Sequence, residues 1–336
     1  MGLARRDLFR LGAAGGGLGL LGALGGWQSR RIAAPKTFEM PLLPVDCASD
    51  GGAGALYDPR YSPPRYLTDG GRDALHTPPP RCTEVAGALQ EIDLPIIQTT
   101  LEVADGRSLP VWAYGGSVPG PILRATLGGR LRVIVGNHSP ASHSLHFHGS
   151  HELAQDGMRR IAPGEQEIYE FTAGPVGLHP YHCHVPPYAC HIGRGMYGTL
   201  IVDPPAGRAP ASEFVLCLCG FDVDRTGRND TYAWNGVAGY YERFPLKVQV
   251  GELVRIYLVN MVENDSVASF HLHAQTFDVY RSGTAVEPNE HTDLLTLGPA
   301  ERAILEFRLP RRGRYMFHPH QSHMAERGAM GFIAAV

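Results

Sequence analysis

The residues best suited to chemistry lie in the stretch 181–198. There a cysteine stands between two histidines, His182-Cys183-His184, and a histidine and a methionine follow at His191 and Met196. Two imidazoles, a thiolate and an axial thioether are the ligands of a blue-copper site. His191 offers one imidazole, and His143 is the candidate for the second. On an extended strand, successive side chains point to opposite faces. Cys183 then faces away from His182 and His184, so one tripeptide can serve two metal centres.

Histidine is abundant, with sixteen residues, and four His-x-His pairs occur: His146/His148, His182/His184, His271/His273 and His318/His320. Residues i and i+2 of a strand share a face, so each pair places both rings together. The pairs are themselves duplicated. Ser269-Phe270-His271-Leu272-His273 repeats Ser144-Leu145-His146-Phe147-His148, and Met316-Phe317-His318-Pro319-His320 repeats Pro180-Tyr181-His182-Cys183-His184. The paired motifs are 36 residues apart (146 to 182) in the first copy and 47 (271 to 318) in the second. This is duplication of one fold. Eight imidazoles exceed the needs of one metal ion; imidazole alone suits several metals, and the neighbouring Cys-His-Met set selects copper. The second copy has Ala268 and Pro319 in the slots matching His143 and Cys183, so it keeps a histidine face without a cysteine site; His323 and Met330 are given no metal role.

The elements that must position these residues are β-strands. The chain has 336 residues, 41 Gly and 27 Pro, and its Val/Ile/Leu/Phe runs are bounded by turn residues, a pattern of an all-β protein. Strands are expected at 96–103, 110–114, 122–126, 130–137, 166–172 and 198–202, then at 214–219, 244–250, 253–259, 276–280 and 303–309. They build two sandwiches in tandem, 93–205 and 206–336, joined by a Pro-rich linker. Residues 35–92 read as an irregular arm, with His76 at its surface. Residues 1–34 read as an export signal, in which Arg5-Arg6-Asp7-Leu8-Phe9-Arg10 resembles a twin-arginine motif. The apolar stretch after it is short and Gly-rich, which argues against stable membrane insertion, and the expected location is periplasmic or secreted. The net charge of −3 without a basic run gives no footprint for nucleic acid. Of six cysteines, Cys47 and Cys82 are candidates for a disulfide, while Cys217 and Cys219 share one face of a strand as buried thiols.

With these motifs in place, residues 93–336 resemble a two-domain multicopper oxidase, a small laccase-like protein with its blue copper in the N-terminal cupredoxin domain. The resemblance implies two cupredoxin-like Greek-key β-sandwiches and four coppers per chain. The type 1 copper falls to His143, Cys183, His191 and Met196. The type 2 copper falls to His146 and His271. The type 3 pair falls to His148, His182, His184, His273, His318 and His320. It further implies that a small reducing substrate, such as a phenol, gives electrons through an exposed edge of His191 with residues 185–190 as the rim. Electrons then pass through Cys183 to His182 and His184, and O2 is reduced to water. Asp156, before Gly157, matches a family pattern of an aspartate near the type 2 copper, a proton-relay position. The eight histidines must converge between domains, which the resemblance implies happens at the subunit interfaces of a homotrimer. Cys183-to-His191 and Cys183-to-Met196 spacings of 8 and 13 are nearer those of copper nitrite reductases than of three-domain laccases. In nitrite reductases, however, an aspartate stands at the position of His146, and the histidine at His184 is missing. Oxidation of Cu(I), Mn(II) or Fe(II) is the alternative activity. A copper electron-transfer protein is the non-enzymatic one.

Overall fold

The computed structural model describes residues 76–81, 89–149 and 151–336. The export signal, nearly all of the arm, Cys47 and Cys82 therefore lie outside the described residues. Among the described residues no helix is long and apolar enough to cross a membrane.

The chain folds as two cupredoxin-like β-sandwiches in tandem, each of two facing sheets. In the first domain one sheet places Arg130–Gly136 between Leu89–Asp93, parallel, and Gln166–Thr172, antiparallel. The other runs in the order Ile122–Thr126, Tyr197–Asp203, Gly177–His182, His146–Phe147. The hairpin Ile96–Ala104/Arg107–Tyr114 completes the domain. The reason these segments are strands is plain in Arg130–Gly136, whose Leu131, Val133 and Val135 alternate inward against outward-facing neighbours. The sandwich begins at Leu89 rather than at 93. Leu89–Asp93 (LQEID) is exposed and half-buried in alternation, so it has no apolar face to announce it.

The second domain repeats the pattern. Ser212–Phe221 runs parallel to Leu253–Asn260, which pairs antiparallel with Arg302–Arg308. Leu246–Val248 runs parallel to Gly331–Ala335, followed by Gly313–His318 and Ala268–Leu272. The expected strand over 244–250 shrinks to Leu246–Val248. Duplication extends to register, because His146 lies opposite His182 and His271 opposite His318.

Each domain has its own apolar core, and a third apolar layer is shared by both. It sets Leu101, Val111, Ile192, Tyr197 and Ile201 against Val215, Phe221, Tyr257 and Ile304. Cys217 and Cys219 are free and buried in this layer, as the strand parity required. A buried ion network crosses the same junction. Arg124 binds both oxygens of Asp203 at 2.7 and 3.2 Å and Glu213 at 2.8 Å; Arg255 binds Glu213 at 2.8 Å and Glu306 at 2.6 Å. Charges removed from water persist only when paired in this way, and this pairing fixes the two sandwiches against each other. His76 is buried rather than superficial: its ring packs on Phe214 and Tyr241, and its carbonyl accepts the Val215 N–H at 2.7 Å.

Candidate metal centres

Three donor atoms converge in the core of the first domain. Cys183 Sγ lies 3.3 Å from His191 Nδ1 and 3.8 Å from His143 Nδ1, and the two nitrogens are 3.1 Å apart. His143 is held by reciprocal backbone bonds to Ile161. His191 stands on a one-and-a-half-turn helix, α1 (Tyr188–Gly193). The strand before the cysteine ends at His182, yet the Cys183 N–H donates to the Met196 carbonyl at 3.0 Å. Extended geometry therefore continues, and the parity argument survives the end of the strand. Met196 is fully buried in the same apolar cluster as Cys183. Gly195, between Arg194 and Met196, has φ +102°, and a Cβ there meets Val118 Cγ2 at 2.4 Å, so the chain turns back only through glycine.

Burial sets the protonation of this triad. It drives His143 well below the ordinary histidine range, with His191 adding to the effect, and brings His191 down to about 4, helped by Arg194 and Arg160. It pushes the Cys183 thiol up to about 11. The imidazoles are thus neutral and ready to ligate, whereas a metal must displace the thiol proton. The Nε2 atoms of His143 and His191 are buried without a partner. Three soft and borderline donors crowded into an apolar core, with both imidazoles also burying an Nε2 that has no partner, fit a copper ion.

On the other side of Cys183 the four histidines of the first domain form a face. The His146 ring lies 5.1, 5.2 and 5.4 Å from those of His148, His182 and His184. The second domain matches it, with His271 at 4.8, 5.5 and 5.5 Å from His273, His318 and His320. His182 Nδ1–H donates to the Cys183 carbonyl at 2.9 Å and His318 Nδ1–H to the Pro319 carbonyl at 2.8 Å. These bonds fix the tautomer and leave Nε2 as the ligating atom. His182 Nε2 then meets His148 Nε2 at 3.0 Å, and His318 Nε2 meets His273 Nε2 at 3.0 Å. Two nitrogens at that separation in each half, with the third histidine beside them, could hold a metal ion. Desolvation lowers His148 to about 3 and His182 to about 4, so both are bare bases at neutral pH. Among the described residues no ring contact joins the two faces.

Asp156 lies beside His146. Its carboxylate is 3.0 Å from His146 Nδ1, and the same oxygen is 3.4 Å from His151 Nε2. A Cβ at Gly157, φ +72°, is 2.3 Å from the Leu145 carbonyl; glycine there lets the turn press against the histidine strand.

Other expectations are corrected. His191 is 1 % exposed, so it presents no edge to solvent. Tyr188, on the expected rim, is exposed and packs against the His184 ring at 4.8 Å. Cys190 is disulfide-bonded, and Cys183, Cys217 and Cys219 are free.

Four contributors had no role in the sequence reading. His151 joins His146 and Asp156. Ser144 Oγ accepts the His184 N–H at 3.0 Å, and Ser269 Oγ accepts the His320 N–H at 2.8 Å; both serines open the repeated motif, which was the available signal. Trp112 packs on both imidazoles of the cysteine site, at 4.9 Å from His143 and 5.0 Å from His191, and local sequence gave no sign of it.

Comparison with known proteins gives the same picture. Two family models, both described as multicopper oxidase, match residues 96–207 and 220–335. A solved structure of a multicopper oxidase is 41% identical, with a TM-score of 0.72 over 74% of this chain and 89% of that one. A copper nitrite reductase from Nitrosomonas europaea is 30% identical, with a TM-score of 0.69 over 74% of this chain and 94% of that one. The copper-containing nitrite reductase of Neisseria meningitidis is 29% identical over 284 residues, 76% of this chain and 72% of that protein.

Proposed function

The chain belongs to the multicopper oxidase family, and from that premise we propose that it is a laccase-like oxidase, taking single electrons from phenolic or similar reductants and passing four to O2. Copper, when bound, supplies a one-electron acceptor at Cys183 and an oxygen-reducing centre at the histidine faces. The observation that carries the reading is the completeness of both faces: four imidazoles each, with tautomers preset by Cys183 and Pro319 carbonyls. A single catalytic metal does not need eight.

The chain's own residues supply the connection. Cys183 is joined to His182 and His184 by one peptide bond each, and the His182 Nδ1–H···O=C bond to Cys183 adds a second link. His146 Nδ1–H donates to the Asp156 backbone carbonyl at 3.3 Å, which orients the ring, and the Asp156 carboxylate, 3.0 Å from that nitrogen and 3.4 Å from His151 Nε2, is the group placed to hold a proton beside the face. The two faces, each partly open to solvent and out of contact with each other, support a homotrimer in which the first domain of one subunit meets the second domain of the next, completing three clusters of eight histidines with four coppers per chain. The N-terminal motif supports export by the twin-arginine route.

Nitrite reduction is the second reading, favoured by the names of the relatives. Copper content and gas chemistry separate the two. Four coppers per chain with O2 uptake driven by a phenol, and no nitric oxide from nitrite, is the expected result. Two coppers per chain with nitrite turnover overturns it. His146→Ala is expected to abolish O2 uptake while leaving the blue absorption of the cysteine site.

A further inference from the structure

Each imidazole of the cysteine site turns one nitrogen inward and the other away. The Nδ1 atoms of His143 and His191 face Cys183 Sγ, at 3.8 and 3.3 Å. With Nδ1 ligating, the proton of each neutral ring sits on Nε2. A ligating histidine ordinarily donates its other N–H to a carboxylate, a carbonyl or water, and that bond raises its basicity. On the histidine face His182 follows this rule, its Nδ1–H donating to the Cys183 carbonyl at 2.9 Å. At the cysteine site the rule is broken twice. Nε2 of His143 and Nε2 of His191 are both buried with no nitrogen or oxygen partner.

What both rings do meet is Trp112. Its indole lies 4.9 Å from His143 at an interplanar angle of 69°, close to edge-on-face, and 5.0 Å from His191 at 43°. The indole is itself well held. Trp112 is 4 % exposed, its backbone N–H donates to the Arg194 carbonyl at 3.0 Å, and its Nε1–H donates to Gln98 Oε1 at 3.1 Å. Gln98 is its direct partner across the hairpin, and the Arg194 guanidinium lies over the ring at 4.8 Å. The indole N–H is thus engaged by Gln98, and the imidazoles are offered only a π-face, which is a weak acceptor. A weak acceptor leaves an imidazole a weak electron donor. A dry apolar shell adds to the effect, since solvent access and local dielectric set the potential of a metal site. Both act against the more highly charged cupric state.

We propose that Trp112 is a positioning residue that makes the cysteine site more oxidising. Its indole receives the Nε2–H groups of His143 and His191 against its π-face and keeps water and oxygen acceptors away from them. The inference rests on the copper reading of the cysteine site and on nothing about which reductant is oxidised.

Two measurements test it, and the first needs only the wild-type chain. In the cuprous protein, which is diamagnetic, the Nε2–H resonances of isotope-labelled His143 and His191 are expected upfield of the ordinary imidazole range and slow to exchange with water. Trp112→Leu is expected to abolish both properties. In the second, the cupric protein is mixed anaerobically with ferrocyanide, which gives one electron to the blue site and becomes ferricyanide. The remaining blue absorption reads the equilibrium. Trp112→Leu is expected to keep the blue band and move this equilibrium about tenfold toward the cupric side, about 59 mV for one electron. Trp112→Phe, which restores a ring face, is expected to recover most of that shift. A role in packing alone would loosen copper in the leucine variant without a directed change in this equilibrium. Wild-type Nε2–H resonances in the ordinary range, or an equilibrium that Trp112→Leu leaves unchanged or moves toward the cuprous side, overturns the proposal. A wild-type protein that takes up copper without blue absorption overturns the copper reading first and this inference with it, so the two failures are told apart.

Discussion

The two domains present the same histidine face over different interiors. Backbone bonds set the correspondence: Trp112 N–H to Arg194 O matches Tyr232 N–H to Arg327 O, and Met196 N–H to His191 O matches Ala329 N–H to Met324 O. On that register, His143, Cys183, His191 and Met196 correspond to Ala268, Pro319, Met324 and Ala329. His323 and Met330 fall one residue to the side and are not relics of ligands; His323 packs on Tyr232 and reaches Asp265 at 3.5 Å. Ala268, Met324 and Ala329 belong to the ordinary apolar core of the second domain. Strand pairing alone therefore builds the histidine face, and whatever lies behind it can be core or metal site. Among the described residues only the first domain carries a cysteine site behind its histidine face.

The sharpest way to break this comparison is at Cys183. Cys183→Ser is expected to abolish both the blue absorption and turnover of every reductant. Pro319→Cys in the second domain is expected to create no second blue band, because Ala268 and Met324 offer no imidazole. A blue band from that variant in the Cys183→Ser background would show that the interiors are less different than the register says.

The orienting groups come next. His146 Nδ1 faces the Asp156 backbone carbonyl at 3.3 Å and the Asp156 carboxylate at 3.0 Å, whereas His271 Nδ1 has the Asp293 backbone carbonyl at 2.8 Å with the carboxylate standing off at 4.0 Å. Loss of a side-chain partner to a metal-ligating histidine typically costs about 10–100-fold in affinity or activity. Asp156→Ala is expected to fall in that range for O2 uptake, and Asp293→Ala to have far less effect. Equal losses would show that the aspartates act through charge rather than through the hydrogen bond.

Acid should also separate the two halves in the copper-free protein. Burial lowers His148 to about 3 and His182 and His191 to about 4, from an ordinary value of 6.5. Above 6.5 neither the folded nor the unfolded chain protonates them. As pH falls from there toward 4, the unfolded chain takes up protons that the fold refuses, so stability is lost over that window. The melting temperature is expected to drop by at least about 5 °C between pH 7 and 4.5. His148→Gln should remove more of that drop than His273→Gln, whose partner face is more exposed. A drop unchanged by His148→Gln would sink the assignment of a neutral, desolvated base there.

Much of this was legible before any coordinates. The residues that gather in both faces and at the cysteine site could be read because strand parity is a local rule, and duplication let each motif check the other. Leu89–Asp93 was illegible, because an edge strand without an apolar face looks like a loop. The burial of His191 was illegible for a different reason. It depends on Trp112, which arrives from a hairpin 79 positions earlier (191 to 112), and periodicity carries no information about which rings meet across a sandwich. The disulfide at Cys190 was illegible on the same ground, since connectivity is a tertiary fact.

The serines give the finest test of the comparison. Ser144 and Ser269 make the same bond, accepting the backbone N–H of His184 and His320. Their surroundings differ. Both serines are buried, but His184 is half-buried beneath Tyr188 whereas His320 is exposed, so the N–H left by Ser144→Ala has the poorer access to water. Such an orphaned donor costs about 1–3 kcal/mol. His320 is exposed, and water can replace Ser269 Oγ as the acceptor. Ser269→Ala also loses the bond to Gln321 at 2.9 Å, yet that partner too can turn to solvent, and the net cost should stay near the ~1 kcal/mol of an ordinary hydrogen bond. Denaturant midpoints of the two variants, measured without copper, are therefore expected to rank Ser144→Ala below Ser269→Ala. The reverse order would mean that the second face is the more shielded of the two, and that the difference between the domains begins at the histidines themselves rather than behind them.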